Sequence, residues 1–273
     1  MAKHRSEWTF HTYHRRIREG RGQGELKEYK PWITIHDIPS RGYVSRICGL
    51  KTSRIHHLLS RNETAFFYCL DASDRVLDIR EQYPLLPVGE TLRIAEETGI
   101  RHPRDPKSRY PYVMTSDFLI TTADGLRARS IKEKKEIGNP RVREKLEIER
   151  RFWKARGVDW KLVTEDEIDF RKAKNIEWVR KALDYPGMLP DGRDAEETTD
   201  FFRKLYADTS LSVSGIARAT EEAFCLEPGM GILTYQYLII RRQIPVDLRQ
   251  PVDIVSARVG NKNEVYSWIP KYV

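Results

Sequence analysis

Residues Met114 to Lys135 read MTSDFLITTADGLRARSIKEKK, two runs that alternate as strands do, joined by a turn at Ala123-Asp124-Gly125. The first run carries Asp117, and one face of the second carries Ala128, Ser130 and Lys132. An aspartate on one strand and a lysine on its neighbour is nearly a metal-dependent nuclease hairpin. Such hairpins carry a glutamate two residues before the lysine, where the period of a strand puts both side chains on one face. Here that position is Ser130, so a second carboxylate must come from elsewhere.

On the N-terminal side, HHLLSRNETAFFYCL contains Ser60-Arg61-Asn62-Glu63, a capping box that opens a helix with Phe66, Phe67 and Leu70 on its apolar side. Glu63 precedes those residues by three, four and seven positions and shares their inward face. RVLDIREQYPLLP predicts a strand, with Leu77 and Ile79 on one side, Asp78 and Arg80 on the other, and Pro84 as its end. A short helix from Glu90 to Thr98 is stopped by Gly99, and IRHPRDPKSRYP is too rich in proline and charge to be regular.

On the C-terminal side, Asn139 as N-cap and Pro140 at the first helical position open a helix closed by Gly157. Its apolar stripe Val142, Leu146, Glu149, Trp153 contains a carboxylate, which is costly there unless paired or ligated. Lys145, one turn earlier, is the structural alternative for its partner. DWKLVT predicts a fourth strand, and Thr164 to Glu167 a capping box opening a helix with Ile176 and Val179 inward.

After the loop DYPGMLPDGRDAEETTD come helices at about 196–207 and 213–224, and a third opened by Pro228 that ends near Arg241-Arg242. Two extended pieces, QIPVDL and VDIVSA, follow. Three helices and a small ribbon is the order of a winged helix-turn-helix. The third helix is apolar and aromatic, with Gln236, Arg241 and Arg242 as its polar reach, so it suits burial of Ile232, Tyr235 and Ile239 better than base reading. The expected organisation is an α/β domain over residues 1–168, a mixed sheet with flanking helices, and a winged-helix-like domain over 169–273.

The chain has 273 residues, 40% of them hydrophobic, enough for a core in each domain. Its first sixteen residues hold no apolar leader and no run reaches the ~18 apolar residues of a membrane span, so a soluble, unsecreted protein is expected. Cys48, Cys69 and Cys225 have neither zinc-site nor disulfide spacing, which suits a reducing cytoplasm and buried thiols. Of the net charge of +8, residues 1 to 60 supply +7, with twelve Lys or Arg against five Asp or Glu. RRIREGRGQGELKEYKPW, with Arg15, Arg16, Arg18, Arg21, Lys27 and Lys30, reads as an arm laid on a polyanion or as a solvated N-terminus. Gly20, Gly22 and Gly24 lack the strand and the Lys-Ser or Lys-Thr of a nucleotide loop, and His56-His57 points to opposite sides of an extended segment.

Phosphodiester cleavage needs an activated water and a sink for the charge of the transition state, which hard divalent cations on oxygen ligands provide. Asp117, Glu63 and the backbone carbonyl of Ile131 could supply ligands, with Lys132 as the cation orienting the water. Each also has a bland reading: a strand end for Asp117, a charged run for Lys132, the capping box for Glu63.

The stretches RRIREGRGQG, KPWITI, RIHHLLSRNE, VLDIREQYPLLP, MTSDFLI, EKLEIERRFW and NIEWV resemble the TnsA family, the endonuclease subunits of heteromeric cut-and-paste transposases. The resemblance implies a restriction-endonuclease-like, PD-(D/E)xK-type domain with two magnesium ions, followed by a winged helix. It implies an active site at Glu63, Asp117, Ser130 and Lys132, where Ser130 replaces a glutamine, with Glu149 as a secondary member. The implied activity is cleavage of the 5′ ends of a transposon, with transposon-end DNA, a DDE transposase subunit and an ATP-dependent transposition regulator as partners. A non-catalytic nucleic-acid or assembly adaptor and a stand-alone nuclease are the alternatives.

Overall fold

The hairpin read from the sequence forms the middle of a four-stranded sheet. The computed structural model describes residues 7–38, 42–190, 194–208 and 210–256, and the chain divides into two compact units between Ile168 and Asp169.

The first unit begins with α1 (Phe10–Arg18), capped by the Thr9 side chain, and an antiparallel hairpin of β1 (Ser45–Cys48) and β2 (Ile55–Leu58). Next come α2 (Arg61–Asp71), β3 (Val76–Pro84), α3 (Val88–Glu97), β4 (Thr115–Thr122) and β5 (Gly125–Ile131). A one-turn helix α4 (Lys134–Ile137), then α5 (Pro140–Lys154) and β6 (Asp159–Val163) complete it. The sheet order is β3-β4-β5-β6, antiparallel except for the parallel pair β5 and β6. This is a mixed sheet with flanking helices. Leu119 and Ala128 pack with Ile94 of α3 and Ile148, Phe152 and Trp153 of α5, while Phe118 meets Phe66 of α2, ring centroids 5.7 Å apart.

Covering both faces changes the reading of β3. Ile79 is buried as expected, but Leu77 is exposed and Asp78 and Arg80 are buried. A register irregularity between Val76 and Asp78 breaks the alternation there, and Asp78 accepts a hydrogen bond from the Leu26 amide. The capping box at Thr164 and Glu167 is present, but it closes a single 3-10 turn, Glu165–Glu167. The helix proper starts later.

The basic N-terminal segment is folded onto the unit from Glu7 onward and is no loose arm. Trp8, Tyr29 and Trp32 are buried, and Trp8 and Trp32 cluster with Val113 and Tyr112. Arg16 lies against the Trp8 ring, 5.1 Å from its centroid, and donates to the Trp32 carbonyl and Asp37. Arg21 shares those two acceptors. A Cβ on Gly22 would stand 2.2 Å from the Pro84 ring, so only glycine fits this crossing, and its φ of +78° suits glycine as well. Cys69 is buried as expected, whereas Cys48 and Cys225 are exposed, against expectation.

The second unit starts with α6 (Phe170–Val179), capped by Asp169, and a one-turn α7 (Tyr185–Met188). It continues with α8 (Ala195–Tyr206), α9 (Val213–Phe224) and α10 (Met230–Ile240). The last is the buried centre: Thr234, Tyr235, Leu238 and Ile239 face inward, and Gln236, expected to offer polar reach, is buried too. Gly231 lets α10 touch α9, since a Cβ there would lie 2.2 Å from the Ala217 carbonyl oxygen. The expected ribbon is absent from the described residues. Instead Asn175 donates to the carbonyls of Leu248 and Gln250, and the Ser214 amide to that of Ile254. Ala257, the end of VDIVSA, lies outside the described residues. Among the described residues no helix is long and apolar enough to cross a membrane.

Candidate active site

Pairing of β4 with β5 sets Phe118 against Arg129, and so Asp117 against Ser130 at the end where β5 runs into Lys132. Asp117 Oδ2 accepts from the Ile131 amide at 2.6 Å and from Lys132 Nζ at 2.9 Å. The same ammonium donates to the Ile131 carbonyl at 2.7 Å. Ser60 caps α2 by accepting from the Glu63 amide, but the Glu63 carboxylate accepts from the Leu59 amide and the Ser60 hydroxyl, not from the Ser60 amide, so the expected capping box is only half formed. Glu63 Oε2 also faces Gln82, whose Nε2 lies 3.3 Å from it and 3.4 Å from Asp117 Oδ1. Glu63, Asp117, the Ile131 carbonyl and Lys132 therefore converge, and Gln82 joins them unpredicted.

Ser130 points elsewhere. Its hydroxyl donates to Glu149 Oε1, as does that of Ser116, which in turn accepts from Trp153 Nε1 at 2.7 Å. Two serine hydroxyls thus bind Glu149 on its apolar stripe, where the sequence suggested Lys145.

Two family models match the chain in sequence: "TnsA-like endonuclease N terminal" over residues 73–165 and "TnsA endonuclease C terminal" over residues 167–248. The chain belongs to the TnsA-like endonuclease family. It is similar to the Transposon Tn7 transposition protein TnsA of Escherichia coli, 43% identical over 182 residues. That match covers 66% of this chain and 66% of the relative. Gln82, Asp117, Ser130, Lys132 and Glu149 of this TnsA-like chain lie inside the N-terminal match, and Glu63 precedes it.

Burial governs the electrostatics of the TnsA-like site. Burial, and then the charge of Asp117, push the Glu63 carboxyl up to about 7. Burial works against the Lys132 ammonium, but the adjacent Asp117 carboxylate outweighs it and raises its pKa. Burial also raises Glu149, against the hydrogen bonds from Ser116 and Ser130. The second negative charge of the Glu63–Asp117 carboxyl pair is thus disfavoured in the buried site, and a divalent cation would supply the missing countercharge. Among the described residues no three His, Cys, Asp or Glu side chains converge on a metal position. Two carboxylates and a carbonyl fit magnesium, which keeps several of its waters.

Behind Gln82 lies a second charged group. Glu81 is fully buried, paired with both terminal nitrogens of Arg54 at 2.8 and 2.6 Å and with His56 Nδ1 at 2.8 Å. It also accepts from the His57 amide. His56 and His57 do point to opposite sides of β2, and His56 is structural, held between Glu81 and Thr52.

Proposed function

We propose that this chain is a magnesium-dependent DNA endonuclease that cuts the 5′ ends of a transposon, working with a DDE transposase subunit that handles the 3′ ends. The observation that carries this reading is the convergence of Glu63, Asp117, the Ile131 carbonyl and Lys132 at one point. Glu63, Asp117 and the Ile131 carbonyl would hold the metal, two ions in the full assembly. Bound magnesium supplies the charge sink for the transition state and an acidified water. Lys132 orients the attacking water and stabilises negative charge on the phosphate, a task suited to an ammonium kept protonated by Asp117. Ser130 and Glu149 support the wall behind Asp117.

Residues 1–168 serve as a restriction-endonuclease-like catalytic domain. Residues 169–273 serve as a docking domain whose helices α8 to α10 correspond to the helical part of a winged helix, and whose buried α10 leaves little to read bases. The transposase and an ATP-dependent regulator are its partners, in the cytoplasm. The test is cleavage of transposon-end DNA with magnesium, with and without the partner transposase, for the wild-type chain and Asp117→Ala. Wild-type cleavage of the strand at the 5′ end, lost in the variant, supports the reading. Assembly without cleavage under every condition overturns it in favour of an adaptor.

A further inference from the structure

Gln82 has no local reason to be where it is. It sits inside β3 with φ of +48°, in the left-handed region that a glutamine occupies at a cost of about 1 to 3 kcal/mol. Pairing of Glu81 with Phe118 and of Tyr83 with Ser116 leaves Gln82 opposite Asp117. Its carbonyl oxygen accepts from the Trp32 amide at 3.2 Å, which holds the backbone. Its side-chain oxygen accepts from the Thr115 hydroxyl at 3.2 Å. That hydrogen bond fixes the orientation of the amide, and the NH2 group faces Glu63 Oε2 at 3.3 Å and Asp117 Oδ1 at 3.4 Å. The side chain is 3% exposed, so water does not compete for these positions.

A primary amide has the chemistry this place needs. It carries two N–H donors, one for each carboxylate, and no charge. A lysine or arginine there would neutralise the pair and repel a cation, and a third carboxylate would add repulsion. From this geometry we infer that Gln82 is a positioning residue that spaces Glu63 and Asp117 for a divalent cation. It acts through the two carboxylates and touches neither DNA nor the attacking water. The inference rests on the reading of Glu63 and Asp117 as metal ligands.

Two substitutions separate the amide from the backbone. Gln82→Gly removes the side chain at a position whose φ glycine adopts freely, and Gln82→Met keeps the volume while removing both donors. Magnesium chloride is titrated calorimetrically into the full-length chain, with thermal unfolding as a check on folding and Asp117→Ala as comparator. Both Gln82 variants are expected to bind magnesium about 10 to 100 times more weakly, the usual effect of losing a group that orients a ligand. The magnesium concentration for half-maximal cleavage should rise by the same factor, with the rate at saturating magnesium largely restored. Wild-type magnesium affinity in a folded Gln82 variant, with affinity lost in Asp117→Ala, overturns the role of Gln82 alone. Wild-type affinity in all three overturns the ligand assignment together with it.

Discussion

Lys132 Nζ lies 2.9 Å from Asp117 Oδ2 although the two residues are 15 positions apart, and the same ammonium reaches the Ile131 carbonyl at 2.7 Å. A single cation thus touches two of the three oxygen groups assigned to the metal. The hairpin brings together two of the proposed ligands and the proposed water-orienting group, while Glu63 comes from α2, and this separates the effects expected of their removal.

Asp117→Ala and Glu63→Ala should each lower cleavage more than roughly a hundredfold, beyond the usual range for outer groups. Circular dichroism and assembly with the transposase should be unchanged. Wild-type rates in either variant with magnesium as the sole divalent ion would refute the assignment.

Lys132→Ala should also abolish cleavage, but for a different reason. Removing the ammonium frees Asp117 and the Ile131 carbonyl from a competing partner, so magnesium should bind at least as tightly as in the wild type. A calorimetric loss of magnesium binding, with cleavage retained, would show that Lys132 holds the ligands in place and does no chemistry.

Glu81 makes an acid-stability prediction. Burial would raise its carboxyl, but His56 and Arg54 outweigh burial and hold it down at about 2. A carboxyl depressed in the folded state stabilises above its unfolded pKa of about 4.5, and that contribution fades as pH falls from there through about 2. It amounts to about 3 kcal/mol. Glu81→Gln should therefore be destabilised by about 3 to 5 kcal/mol at neutral pH, because Arg54 is left buried and unpaired. Urea unfolding at pH 7 and pH 3 tests this: the gap between wild type and variant should narrow at pH 3, and a constant gap contradicts it.

Glu149 should tolerate an amide better than a hydrocarbon. Glu149→Gln keeps an acceptor for the Ser116 and Ser130 hydroxyls, whereas Glu149→Leu leaves both buried without one, at about 1 to 3 kcal/mol each. Equal stability of the two variants in urea would rule out this supporting role.

DNA binding by the N-terminal segment should come from Arg15, Arg18, Lys27 and Lys30, which are exposed, and not from the half-buried Arg16 and Arg21. Replacing the four with alanine should weaken DNA binding alike for all sequences. It should also flatten the salt dependence, the log–log slope falling by about 0.9 for each phosphate that is no longer neutralised. An unchanged salt slope would place the DNA elsewhere. Deleting residues 1 to 30 is a poorer test, because it removes buried Trp8 and Tyr29 along with the charge.

What could be read from the chain depended on how local its cause was. The hairpin and Glu63 were legible because alternation, a tight turn and a capping box are written within a few residues. Gln82 was not, since its role comes from the β3–β4 register and a left-handed φ that nothing in REQYP announces. Leu77 was misplaced by a bulge, which shifts alternation without leaving a mark in composition. In the last region the helices were periodic enough to find. QIPVDL runs through Pro245 and VDIVSA follows Pro251, and a proline gives a ladder no donor. Charge misled at Arg16, because composition cannot distinguish a solvated guanidinium from one that donates to the Trp32 carbonyl.

The docked tryptophan at the start of the chain has a consequence for biosynthesis. Trp8 Nε1 donates to the Pro111 carbonyl at 2.8 Å, across 103 positions of sequence. A nascent chain leaves the ribosome N-terminus first, so the indole emerges long before its acceptor exists. Until Pro111 has been translated the Trp8 indole lacks its acceptor, just as the Trp32 amide waits for the Gln82 carbonyl of β3. The Trp8 segment, made before the sheet strands, is thus among the last to lock, and ribosome-stalled chains ending before Pro111 should expose Trp8 to quenchers that the finished protein excludes.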